Sequence, residues 1–219
     1  MSQTVNDMLL EQEPEPSSFR LISTLGLAGF ISGLVLVSVY LYTKPIIEAN
    51  KAAALREAIF KVLPGTTSFK IFAIHEGKLT EVDAADGEII FLGLNDENQM
   101  TGFAISDKEP GFQDLIGVIY GFDAVNKTII GYEVLECKET PGLGDKIFKD
   151  EAFVENFTAL LVEPEIIMVK KGAKQKAHEV DGITGATISA KTVVKLMNKS
   201  INKWKSAIDE YVKENPQLL

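Results

Sequence analysis

Apolar positions follow three regimes along the chain. The first is continuous: Leu21 to Tyr42 is 22 residues without a charge. As a helix this run spans about 33 Å, close to the hydrocarbon thickness of a bilayer. Arg20 and Lys44 bracket it, and Tyr40 and Tyr42 sit at one boundary, where interfacial aromatics belong. The acidic stretch ahead of it (Asp7, Glu11, Glu13, Glu15) and the lack of an A-x-A cleavage site point to an anchor rather than a signal peptide. Gly29 and Gly33 give it a small-xxx-small spacing suited to helix packing, with Gly26 near the same face. The second regime is helical. After Pro45, a favourable first helical position, Ile46, Ile47, Ala53, Leu55, Ala58, Ile59, Val62 and Leu63 recur at helical spacing until Pro64-Gly65. The third is β-like, with short runs at Ile71–Ile74, Ile89–Leu92, Gly102–Ile105, Leu115–Phe122 and Thr128–Val134. Glu76-Gly77, Asp86-Gly87, Asn95-Asp96 and Asp123–Asn126 read as the turns between them.

Helical spacing returns over residues 150–161, with Phe153, Phe157, Leu160 and Leu161 on one side, and Ile166–Val169 reads as a further strand. From Ala190 to Glu214 the stripe Val193, Val194, Met197, Ile201, Trp204, Ile208, Tyr211 and Val212 predicts a long amphipathic helix. The sum is an α+β chain: one N-terminal transmembrane helix, then a domain with a mainly antiparallel sheet and a long C-terminal helix. It divides into a tail (1–20), the transmembrane helix (21–42), a linker helix (43–68) and the domain proper (69–219).

Composition narrows the function. The net charge of −9 is the wrong sign for a nucleic-acid binder. Lys170, Lys171, Lys174 and Lys176 form the one basic stretch, read as a solvated loop. A single cysteine, Cys137, excludes an intrachain disulfide and a cysteine-ligated cluster, and the isolated His75 and His178 give no metal site. Near the anchor, Lys44, Lys51 and Arg56 outnumber Arg20, which by charge alone keeps the domain in the cytoplasm.

Two segments carry chemistry. Asp181-Gly182-Ile183-Thr184-Gly185-Ala186-Thr187 breaks the chain with glycines and feeds the last helix. Helix N-termini present unpaired N–H groups and the positive end of the macrodipole, which suits a phosphate. Thr184, Thr187 and Ser189 add hydroxyls there, and Thr187 or Ser189 can cap the helix. The run lacks the P-loop pattern. Glu139-Thr140-Pro141-Gly142-Leu143-Gly144 is a tight turn whose glycines let backbone lie against a flat ring or a phosphate, with Leu143 as an exposed apolar knob.

Taken together, Asp-Gly-x-Thr-Gly-Ala-Thr with Glu-Thr-Pro-Gly-Leu-Gly some 40 residues upstream resembles the covalent-FMN domain of the RnfG and NqrC subunits, with the compact size and the Lys138–Lys146 run favouring RnfG. The resemblance implies FMN joined by a phosphoester to Thr187, installed by a separate flavin transferase. It implies cofactor-binding roles for Asp181, Thr184, Gly185, Ala186, Ser189, Glu139, Thr140, Leu143 and Gly144. No catalytic acid–base pair and no metal are expected. It further implies an electron-carrying subunit of a membrane complex coupling ferredoxin and NAD to Na+ or H+ movement. Other membrane and iron–sulfur subunits would be its partners, with lipid around the anchor and the domain on the extracytoplasmic face. Family members often carry histidine near Cys137, which here reads as an inert thiol. Other readings of the same residues are an NqrC-like subunit of a sodium-pumping NADH:quinone reductase, a membrane-anchored flavin-binding sensor, and an anchored scaffold that uses the turn only to start a helix.

Overall fold

The computed structural model describes residues 17–83 and 87–219; the acidic residues Asp7, Glu11, Glu13 and Glu15, and Asp86 of one expected turn, lie outside them. The chain divides into two compact units, residues 1–51 and 52–219. In the first, helix α1 (Ser18–Val62) begins, and it continues into the second. Its apolar window has a mean hydropathy of 2.1 with none of it buried, and it is long enough to cross a membrane. Pro45 does not start a new helix, as its sequence position suggests, but lies inside α1. A proline there removes the N–H that would bond the Leu41 carbonyl and sets its ring against that carbonyl, a cost the helix absorbs. The helix nonetheless continues without a break to Val62.

In the second unit a seven-stranded antiparallel sheet is ordered β2-β1-β3-β4-β5-β6-β7. The strands are β1 (Ser68–His75), β2 (Lys78–Glu81), β3 (Ile89–Leu94), β4 (Met100–Pro110), β5 (Leu115–Asp123), β6 (Thr128–Cys137) and β7 (Leu160–Leu161). Short helices α2 (Lys146–Lys149) and α3 (Glu151–Val154) and a 3-10 turn (Glu155–Phe157) precede β7. The single helix expected over residues 150–161 is therefore divided. Asn156 turns its side-chain amide onto the Ala152 and Phe153 carbonyls at 3.0 Å, drawing the last turn tight. Strands β8 (Ile167–Val169) and β9 (Glu179–Asp181) form a separate parallel pair.

Strand alternation gives the sheet two apolar faces. Ile90, Leu92, Phe103, Ile105, Val118, Tyr120 and Phe122 face the main core, which includes Val193, Met197, Ile201, Trp204 and Ile208 of α4 (Thr187–Glu214). Phe91, Ala104 and Ile119 face the other way, onto Ala58, Ile59, Val62 and Leu63 at the end of α1. Two glycines make that second contact possible. A Cβ on Gly121 would stand 2.0 Å from the Val62 carbonyl oxygen, and one on Gly131 2.5 Å from it. Polar ties hold α4 along its length. Tyr120 and Ser200 share a buried hydrogen bond of 2.7 Å, and the buried Glu109 pairs with Lys195 at 2.9 Å and with Lys199.

Candidate functional site

The N-terminal half of α4 is fixed by three contacts. Ser189 donates to Glu139 Oε2 at 2.8 Å, the Thr192 hydroxyl donates to the Pro110 carbonyl at 3.2 Å, and Asn198 exchanges hydrogen bonds with the Ile166 backbone at 2.8 and 3.1 Å. Ahead of the helix, Gly182 N–H donates to the Val169 carbonyl at 2.9 Å, extending the β8–β9 pairing. The chain then turns through Gly185 at φ +85, a conformation few residues other than glycine adopt.

The helix begins earlier than its apolar stripe indicates. Ala186 is its N-cap, with no side-chain cap bond, and Thr187 is its first residue. Neither Thr187 nor Ser189 caps it. Ser189 is buried and committed to Glu139, while Thr187 is exposed and its hydroxyl only grazes the Ile183 carbonyl at 3.5 Å. That leaves Thr187 Oγ accessible, beside first-turn amides with no intrahelical acceptor.

The Glu139–Gly144 turn closes against this helix start. The Thr140 carbonyl accepts the N–H groups of Leu143 and Gly144 at 3.1 Å each. Asp145 accepts the Gly142 N–H at 2.7 Å and pairs with Lys149 at 2.6 Å. The Lys149 ammonium holds the Asp145 carboxyl below the usual carboxylate range against some desolvation, helped by the Gly142 amide. Glu139 is the clamp. Its Oε1 accepts Phe112 N–H at 2.8 Å and Gln113 N–H at 3.0 Å, so one carboxylate ties the β4–β5 turn, its own loop and α4. Burial pushes the Glu139 carboxyl up, but the Gln113 amide, the Ser189 hydroxyl and the Phe112 amide outweigh it and leave it below the usual range. A Cβ on Gly144 would fall 2.4 Å from Glu139 Cβ, so glycine is required at that approach.

The result is a cleft of about 330 Å³ that brings together Glu139, Thr140, Leu143, Gly144, Gly185, Ala186, Thr187 and Ser189, all expected from sequence. Phe112 and Ile188 join them; they are 67% and 53% exposed and, with Leu143 at 49%, form an apolar rim. Sequence reasoning passed over both, although Ile188 stands out as an apolar residue off the core stripe of α4. Thr184 is absent from this cleft and lines a second one, which Gly185 and Thr187 also border. Asp181 borders neither cleft. Its carboxylate accepts the N–H groups of Ala173 and Lys174 at 3.1 and 3.0 Å and shapes the loop before β9. Cys137 is half-buried, and burial pushes its thiol up, away from the reactive thiolate. Among the described residues no cluster of His, Cys, Asp and Glu could hold a metal.

The cleft fits a flavin mononucleotide: an apolar rim for a flat ring, two glycines in its lining that leave backbone uncovered, a half-buried Thr140 hydroxyl with no protein partner among the described residues, and an accessible hydroxyl at a helix start.

Comparison with known proteins agrees. The FMN-binding domain family matches residues 111–202, which hold both motifs. The G subunit of the ion-translocating oxidoreductase complex of Aliivibrio fischeri is 31% identical over 197 residues, covering 86% of this chain and 91% of that one. The protein of the same name from Methanosarcina acetivorans is 26% identical over 183 residues, covering 84% and 92%. The G subunit of the proton-translocating ferredoxin:NAD(+) oxidoreductase complex of Clostridium ljungdahlii is 22% identical over 195 residues, covering 89% and 96%. In fold, the chain is similar to the crystal structure of Shewanella oneidensis NqrC, with a TM-score of 0.61 at 16% identity, covering 76% of this chain and 99% of that one.

Proposed function

The chain belongs to the family of G subunits of ion-translocating oxidoreductase complexes, and from that premise we propose that it is the electron-carrying flavoprotein subunit of such a complex, with FMN held by a phosphoester to Thr187. The observation that carries this reading is the convergence of both sequence motifs on one cleft, with the accessible Thr187 hydroxyl at its edge. Attachment replaces the Oγ–H bond of Thr187 with an Oγ–P bond as the donor's leaving group departs from phosphorus. Relative to free FMN plus chain, the product lacks one water.

When bound, FMN supplies the redox chemistry. The chain holds, orients and partly shields it. Glu139 keeps the three walls in register, Leu143, Phe112 and Ile188 offer apolar contact, and Thr140 offers a hydroxyl. The exposure of those three apolar side chains leaves one side of the cleft open to a neighbour, which suits a carrier that passes electrons onward rather than an enzyme that encloses a substrate. On this reading the complex couples ferredoxin and NAD to Na+ or H+ movement, as the names of the relatives state for those proteins. Its partners are the membrane and iron–sulfur subunits, and a flavin transferase matures it. On the same reading α1 anchors the chain in the membrane, and the domain lies on the extracytoplasmic face.

The test is covalent flavin fluorescence on a denaturing gel, using full-length protein co-expressed with a flavin transferase. Wild type should fluoresce and Thr187→Ala should not, while Thr187→Ala keeps the fold because this residue caps nothing. Fluorescence retained by Thr187→Ala would move the attachment elsewhere.

A further inference from the structure

Thr187 borders two clefts, and the second adds lysines to a partly apolar lining of Met168, Val169 and Ile183. The first has the apolar rim of Phe112, Leu143 and Ile188. The second, of about 570 Å³, is cationic, with Lys170, Lys171 and Lys191 facing Thr184, Gly185 and Thr187. Lys171 is already held by Asp150 at 3.3 Å. Lys170 and Lys191 have no carboxylate within 4.0 Å among the described residues, in a chain whose net charge is −9. They reach the place by different routes. Lys191 lies one helical turn after Thr187 on the same face of α4. Lys170 follows β8, whose parallel pairing sets Val169 opposite Asp181 and so carries the basic loop to the hydroxyl-bearing turn.

We propose that Lys170 and Lys191 are positioning residues that receive the phosphate of the flavin on Thr187, so that the ring enters the apolar cleft and the phosphodiester anion the cationic one. The proposal rests on the reading that Thr187 carries FMN. An uncharged ring and an anion have opposite solvation needs, and the two clefts, which share Thr187, meet them separately. Because neither lysine has a carboxylate partner among the described residues, removing its charge should leave the unmodified chain undisturbed and weaken only the modified one.

The test compares denaturant unfolding of full-length protein in detergent with and without the flavin adduct, made with and without the transferase. Wild type, Lys170→Gln, Lys191→Gln, Lys191→Arg and Lys176→Gln are measured, Lys176 being a lysine of the same loop outside the cleft. The adduct should raise the folding equilibrium constant of wild type. That gain should fall about fivefold in Lys191→Gln and in Lys170→Gln, the size of one charge-assisted contact at a partly exposed site. It should return in Lys191→Arg, stay intact in Lys176→Gln, and shrink with added salt in wild type. Equal gains in all variants would overturn the proposal, as would a loss that Lys191→Arg does not restore. A wild-type chain with no adduct on Thr187 would overturn both this assignment and the reading beneath it.

Discussion

Glu139→Ala and Glu139→Gln differ in a way the geometry dictates. Alanine removes the acceptor of the Ser189 hydroxyl and of the Phe112 and Gln113 amides. A buried donor left unpaired costs about 1–3 kcal/mol. The two amides lie in a turn and can rotate toward water, but Ser189 is 2% exposed and cannot. With the lost packing against Gly111 and Gly144, the expected destabilisation is about 3 kcal/mol. Glutamine keeps the shape. Its oxygen can stay on the two amides while its NH2 donates to Ser189, whose hydroxyl turns from donor to acceptor. Only the charge is lost, for about 1 kcal/mol. Denaturant unfolding of the full chain in detergent, followed through the buried Trp204, measures both. Equal destabilisation by the two variants would refute the clamp. The same pair carries a pH signature. Glu139 titrates lower folded than unfolded, so its stabilisation is complete above the ordinary carboxylate range near pH 4.3 and is lost as pH falls through the folded value. The gap between wild type and Glu139→Gln should therefore close in acid, and a gap that widens there would contradict the sign.

Other changes follow from the packing. Gly121→Ala places a Cβ 2.0 Å from the Val62 carbonyl oxygen; backbone must move, so a loss of about 3 kcal/mol or more is expected in the same unfolding measurement. Leu143→Ala removes a side chain that is 49% exposed, so unmodified protein should lose under about 1 kcal/mol, while the midpoint potential of the bound flavin shifts in a redox titration and covalent attachment persists.

The parts of this molecule that were legible in sequence are those with a long period or a repeated turn chemistry. The apolar part of α1 and α4 each hold an apolar pattern over several turns, and strands β3 to β6 alternate between two buried faces. The two motifs meet because β6 ends at the Glu139 loop and α4 starts at Thr187, with Glu139 and Ser189 locking the pair. What was not legible depends on contacts distant in sequence. Strands β2 and β7 are too short for a pattern, having four and two residues. Asn156 breaks the expected helix through its own side chain. The basic loop looked like an ordinary solvated turn because nothing local shows that β8 pairs with β9 and sets Lys170 beside Thr187. Asp181, which begins the motif in sequence, points away from the clefts and onto the backbone of that loop. Spacing alone also allows Thr187 or Ser189 to cap the helix, the usual fate of a hydroxyl before a helix, and the N-cap at Ala186 with no side-chain cap bond leaves Thr187 available.

The most direct measurement is the intact mass of the denatured chain after co-expression with a flavin transferase, with peptide mapping of any adduct. The account predicts the mass of FMN less one water on the peptide containing Thr187. An unmodified chain, made by a transferase proven active on a second substrate, would contradict it and leave the motif as the start of a helix.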